Sequence, residues 1–318
     1  IYTLSLHDAL PIYQSTVPWC TIIIRNAFGV AGVVHQPANR FSMRYAWPSA
    51  YWGSLPLEGG IEAAYRAEID AWRSQRLAAL TAPDGWLNLT DRVEISPGTY
   101  QVGSGPENDV HLSVGPSRLG ELVLAADGTG TFDEGTGAHA FVAAGDNPPR
   151  LEAGGLLLEV TEIEGQHALR VRQIDAPSRL AFAGIESFPL DPAWRVEAEW
   201  RALSEPERLG IDTVKGIRTS VSITHEARFT HDGAEVLLLP THWKGGKPMF
   251  VIRDRTSGPE TYGAARFLIG DVRGDRVVLD FNKAFNPPCA FTDFAVCPLP
   301  SAQNVLPFPI RAGEKKPH

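Results

Sequence analysis

Trp194-Arg-Val-Glu-Ala-Glu-Trp-Arg201 and Ile217-Arg-Thr-Ser-Val-Ser-Ile-Thr-His-Glu226 decide the fold class, because polar and apolar residues alternate along both with a period of two. That period sends successive side chains to opposite faces of a sheet. Each stretch is therefore expected to be an antiparallel strand with one face on a core and the other on solvent or a cleft. Upstream, from Arg92 to about Gln173, short strand-like runs are separated at regular spacing by Ser96-Pro97-Gly98, Gly105-Pro106, Asp127-Gly128, Gly145-Asp146-Asn147-Pro148 and Glu164-Gly165. Turn residues at such intervals are the pattern of a β-sandwich. The expected architecture is mainly β: an antiparallel β-sandwich within 82–175, a proline-bearing connection from Ile174 to Pro192, and a second antiparallel β-region over 194–318.

One amphipathic helix should precede the sheets. Ile61, Tyr65, Ile69, Trp72 and Leu80 fall near helical spacing and predict a helix over 58–81. Ala82-Pro83-Asp84-Gly85 stops it, and the sheet that follows is its expected packing surface. Trp72 and Trp86, on either side of the stop, read as core packing. Residues 1–57 are set apart from the fold. Tyr2 to Ile12 reads like a translated sequencing adapter, a contaminant of assembled metagenomes, and is not expected to fold. Residues 13–57 carry no acidic residue and no persistent period, which fits either non-native translation or an irregular native extension.

Composition narrows the function classes. With 318 residues, 43% apolar and 21% charged, the chain has material for one large or two ordinary domains. The net charge is -8 and the Lys and Arg residues are scattered, so nucleic acid is not an expected partner. Thr21 to Val34 is apolar but interrupted by Arg25 and Asn26, too short for a membrane span, so no membrane partner is expected either. Cys20, Cys289 and Cys297 are too few for a disulfide framework and favour a reducing, cytoplasmic compartment.

Tyr100 to Leu112 has a superficial resemblance to the forkhead-associated domain, whose members bind phosphothreonine. That family places an arginine directly after the glycine, whereas Ser104 follows Gly103 here, and Ser117-Arg118-Leu119-Gly120 lacks the family's histidine. Without that guanidinium the anion loses its main donor, so this half is read as scaffold. A denser set of motifs lies near the C-terminus: Phe250-Val-Ile-Arg-Asp254, Thr261-Tyr-Gly-Ala-Ala-Arg266, Leu279-Asp-Phe-Asn-Lys-Ala-Phe-Asn-Pro-Pro-Cys-Ala-Phe291, Cys297-Pro-Leu-Pro300, Asn304 and Ile310-Arg-Ala-Gly-Glu314. With these motifs the chain, from about residue 60 to its end, resembles the bacterial and archaeal domain-of-unknown-function family 1684. The resemblance implies a shared fold, and it brings no substrate, cofactor or catalytic residue.

The residues themselves suggest a site. Tyr262–Ile269 and Arg276–Asn282 read as a hairpin around Gly270 to Asp275. Its odd positions, Ala265, Phe267, Ile269, Val277, Leu279 and Phe281, are apolar and define a core face. The other face then holds Tyr262, Arg266, Asp280 and Asn282. If Leu268 pairs with Val278, Arg266 lies opposite Asp280. An arginine held this way could offer its remaining donors to a small anionic or polar molecule, with Asn286 and Cys289 on the loop that returns past the same face. An ion pair on a covered sheet is the alternative. Cys289 and Cys297, eight positions apart, leave several states open: buried free thiols, a bridge or redox pair, two metal ligands, or a nucleophile with a resolving partner activated by Arg266. Two cysteines alone do not make a closed metal site, and no metal or cofactor is assigned. His225 reads as a core residue, and Lys244 and Lys247 as a solvated turn. Three functions stay open: a binding protein for a small anionic ligand, an enzyme of unknown reaction using Asp280, Cys289 or His242, and a protein-interaction module.

Overall fold

The computed structural model describes residues 57–143 and 148–317, with the backbone of four short strands nearer the N-terminus. The chain divides into two compact units, Ile1–Asp70 and Ala71–His318. In the first unit Trp19–Ile23 pairs in parallel with Ser42–Ala46, and Ala27–Phe28 with Trp52–Gly53. These strands form where the sequence carries no persistent period. The adapter-like Tyr2–Ile12 lies outside the described residues, as do Gly145, Asp146 and Asn147 of one turn signal.

A helix runs from Leu57 to Leu80, ending just before the proline, as the stop signal requires. In its last turns Trp72 meets Phe285 at 6.3 Å between ring centroids, and the Arg76 guanidinium lies 4.9 Å over the same ring. Those side chains thus pack on the C-terminal β-region, and not on the strands that directly follow the helix.

Residues 89–173 form two sheets that share one core. The five-stranded sheet runs in the order Ala138–Val142, Thr129–Asp133, Gly120–Leu124, Gly98–Gly103, Val110–His111, and the four-stranded sheet Leu151–Ala153, Leu156–Ile163, Gln166–Gln173, Leu89–Ile95. Val102, Leu122 and Phe132 of the first meet Leu158, Leu169 and Val171 of the second in a single buried cluster. This is a β-sandwich; all its pairings are antiparallel except that of Gly98–Gly103 with Val110–His111. The turns fall at Ser96-Pro97, Asp127-Gly128 and Glu164-Gly165, where the sequence places them.

The C-terminal region is also antiparallel. Arg195–Asp212 pairs with Arg218–His231 on one side and with Arg276–Asp280 on the other, in a five-stranded sheet closed by Ala234–Leu238 and Asp271–Arg273. A three-stranded sheet, His242–Lys244, Lys247–Ile252 and Arg266–Ile269, packs against it through Phe250, Ile252, Leu268, Leu279 and Phe281.

The hairpin expected from Tyr262 to Asn282 does not form. Arg266–Ile269 pairs with Lys247–Ile252, placing Arg266 opposite Ile252, while Arg276–Asp280 makes a separate hairpin with Asp271–Arg273. Two effects decide this. Gly274-Asp275 supplies a two-residue turn, which matches strand twist better than a six-residue loop. Gly270 then serves as the corner between sheets: a Cβ there would stand 2.7 Å from Val277 and 3.1 Å from Phe250, so only glycine lets the chain turn so close to the core. Ala265, Phe267, Val277, Leu279 and Phe281 are buried as their alternation implies, but Leu268 on the opposite face is buried as well, so no open polar floor exists there.

Candidate functional site

The six residues expected to form one ligand face are distributed over four environments. Arg266 is 1% exposed and is bound by Asp254, not Asp280. Its Nη2 donates to Asp254 Oδ2 at 2.8 Å and to the Ile310 carbonyl at 2.9 Å, and its Nη1 to the Ala312 carbonyl. Asp254 also accepts from the backbone N–H of Thr256 (2.8 Å) and of Ile310 (3.1 Å). The result is a closed knot fastening Ile310–Glu314 to the sheet. Gly313 lets that segment pass: with φ of 78°, its missing Cβ would lie 2.4 Å from the Ala284 carbonyl.

Asp280 pairs instead with Arg195 at 3.3 Å and Lys283 at 3.9 Å, and accepts from the Asn282 backbone N–H at 3.2 Å. Asn282 exchanges hydrogen bonds with the backbone of Asp191. Asn286 donates its N–H to Glu314 at 2.7 Å, and Glu314 in turn holds Arg76 at 2.9 Å. Tyr262 donates to the Cys289 carbonyl at 2.9 Å, so these two are brought together. His242 shares a hydrogen bond with Thr241, and burial lowers its pKa. The cation expected beside Cys289 is also different, since Arg266 is engaged with Asp254 and Lys215 is the charge that acts on Cys289.

The most concentrated chemistry lies on the outer face of the sandwich. Along Gln166–Gln173, Leu169 and Val171 point into the core, so Arg170 and Arg172 share the opposite face. The strand register sets Arg170 between Glu159 and Arg92. Glu159 accepts from Arg150 Nε at 3.0 Å, Arg172 Nη1 at 3.1 Å and Arg170 Nη1 at 3.3 Å. Arg172 is 2% and Glu159 4% exposed. Trp86 lies under both buried guanidiniums, with its ring 5.6 Å from Arg170 and 5.7 Å from Arg172. These groups line a cleft of about 900 Å³ together with Thr161, Asp84, Glu162 and Lys244. Asp84 pairs with Arg150 at the exposed rim, and Glu162 is exposed, so Glu159 is the buried carboxylate of the cleft.

The electrostatics follow from three cations around one buried carboxylate, with Arg150 also held by Asp84 at the rim. Burial works to raise the Glu159 carboxyl, but Arg172 above all, with Arg150 and Arg170, holds it below the usual carboxylate range. Burial, the largest cause, pulls Arg170 and Arg172 below the ordinary guanidinium range, as it does Arg266, and neighbouring arginines add to it at Arg170 and Arg172. Arg150 shifts the other way, upward, because Asp84 and Glu159 both act on it. Guanidinium stays protonated at any physiological pH, so Arg150, Arg170 and Arg172 are three cations around the one buried carboxylate of Glu159.

The C-terminal motifs Phe250–Asp254, Arg266 and Ile310–Glu314 converge on the Arg266 knot, so what they share is a structural joint. Residues 180–315 match the family described as Protein of unknown function (DUF1684). The DUF1684 segment covers less than half of the chain, and the sandwich with its arginine cluster lies outside it, with Lys244 the one cleft residue named above that it supplies. A solution NMR structure of an uncharacterized protein from Haloarcula marismortui is similar, with 29% identity over 44% of this chain and 80% of that one and a TM-score of 0.37. No curated protein matches. Among the described residues no helix is long and apolar enough to cross a membrane.

The arginine cluster was missed in the sequence, where the sandwich half is read as scaffold, although a local signal for it exists. Arg170 and Arg172, alternating with the apolar Leu169 and Val171, must share a polar face. What the sequence does not show is that Arg150 and Trp86, from two different loops, close over that face.

Proposed function

We propose that the chain binds a small phosphate- or carboxylate-bearing molecule in the cleft formed by Arg150, Arg170, Arg172 and Trp86. The ligand chemistry is the one expected from the sequence, and the place is different. The carrying observation is the charge count: three guanidiniums converge on the single buried carboxylate of Glu159 in a cleft of about 900 Å³. That volume suits a small molecule. Arginine presents paired donors that match the two oxygens of a carboxylate or phosphate, so an incoming anion supplies what Glu159 alone does not. Lys244 adds positive charge to the cleft lining.

The test is a thermal-shift series on the full chain with inorganic phosphate, citrate and chloride at equal ionic strength, since a ligand of the native state raises the melting temperature by mass action. Phosphate or citrate should raise it and chloride should not, and the stronger of the two names the head group. Equal shifts with all three would mean general screening and would remove the reading.

A further inference from the structure

We propose that Cys289 and Cys297 form a reactive dithiol that a hydroperoxide converts to a disulfide, with Cys289 attacking and Cys297 resolving. The proposal is independent of the arginine cleft. Pro287-Pro288 ends the preceding segment, and a short 3-10 turn, Pro288–Ala290, starts a loop that returns the chain on itself by Cys297. The loop brings the Cys297 sulfur to 3.3 Å from the Cys289 backbone nitrogen, whose N–H donates to it. Both are free. Among the described residues no group of three or more metal-ligating side chains exists, so the pair has no third ligand to make it a metal site.

The surroundings make the two sulfurs unequal. Cys297 is 2% exposed, and Cys289 is only partly buried. The neighbouring Cys297 thiol lowers the Cys289 pKa, helped by the nearby Tyr262 hydroxyl and the positive charge of Lys215, against a rise from burial. The neighbouring Cys289 thiol, with burial, pushes Cys297 far up. Asp293 and Arg170 are the other charges acting on this group of residues. Cys289, the more accessible sulfur and the one whose pKa is lowered, is thus placed to attack, and the buried Cys297 to resolve.

The chemistry balances. Cys289 sulfur attacks the terminal peroxide oxygen; an S–O bond forms, the O–O bond breaks, and the alcohol leaves with the proton Cys289 gave up. The sulfur is oxidised to sulfenic acid and the peroxide is reduced. Cys297 sulfur then attacks Cys289 sulfur; the S–S bond forms, the S–O bond breaks, and hydroxide leaves as water with the Cys297 proton. Overall, two thiols and one hydroperoxide give a disulfide, an alcohol and water.

The experiment treats the full chain with hydrogen peroxide, blocks remaining thiols, and maps the products by peptide mass spectrometry. A Cys289–Cys297 link is expected. Cys297→Ser should stop at a sulfenic acid on Cys289 that dimedone traps, and Cys289→Ser should leave Cys297 a free thiol. Because a cysteine variant can fail to fold, the unaltered chain provides a second readout: iodoacetamide should modify Cys289 at least about tenfold faster than Cys297, a preference that vanishes in urea. No link in the oxidised chain, oxidation of Cys297 in Cys289→Ser, or equal alkylation of the two in the folded chain would each overturn the proposal.

Discussion

Arg266 and Arg172 are buried to nearly the same degree, yet they sit in opposite kinds of environment. Arg266 has a carboxylate of its own, Asp254, and backbone carbonyls that take its other donors. Arg172 shares Glu159 with Arg170 and Arg150. A buried Nε without an acceptor occurs in both, so that feature does not separate them. The charge count and the adjoining cleft do. A buried ion pair whose charges cancel is a joint, costly to break and with nothing left for a ligand. A cluster with surplus positive charge beside an open cleft is a candidate for recognition.

The largest expected effect is at the joint. Arg266→Ala strands the Asp254 carboxylate among buried groups and releases Ile310–Glu314 from the sheet; a loss of about 3–5 kcal/mol is expected in urea unfolding. A loss below about 1 kcal/mol would erase the contrast with the cluster. Next comes Glu159→Gln, which leaves three cations without their shared anion and should cost about 2 kcal/mol at neutral pH. Phosphate should restore part of that loss in Glu159→Gln and none of the loss in Arg266→Ala.

The same carboxylate gives a pH signature. The Glu159 pKa is lower in the folded chain than in the unfolded one, so its contribution is complete above the unfolded value of about 4.3 and fades as pH falls through the lower folded value. The melting-temperature gap between the unaltered chain and Glu159→Gln should therefore be constant from pH 7 to about pH 5 and close in stronger acid. A gap that widens in acid would show that Glu159 is not held as a carboxylate. The smallest effect belongs to the surface: Lys247 and Asp271 pair at 3.0 Å in full view of solvent, and Lys247→Ala should change stability by less than about 1 kcal/mol.

Much of the fold could be read from local pattern. Period-two alternation at Trp194–Arg201 and the turn residues of the sandwich are local signals, and the strands and turns follow them. The C-terminal pairing could not be read this way, because the choice between one long hairpin and two sheets depends on Gly270 packing against Phe250 and Val277, a contact between distant segments. Arg266 illustrates the cost. Its importance was visible, but its partner Asp254 is twelve positions away on the far side of a loop, and Asp280 looked closer in an assumed register. For the arginine cleft, the alternation of Leu169, Arg170, Val171 and Arg172 was a local signal, whereas the arrival of Arg150 and Trp86 was not.

The most direct test is a calorimetric titration of inorganic phosphate into the unaltered chain and into Arg150→Gln, whose side chain lies at the cleft rim and can be changed with little effect on the core. Saturable binding to the unaltered chain, weakened about tenfold or more in Arg150→Gln while the melting temperature without phosphate stays close to that of the unaltered chain, is the predicted result. Binding that is absent in both, or equal in both, would contradict the assignment of the Arg150–Arg170–Arg172 cluster as the anion site.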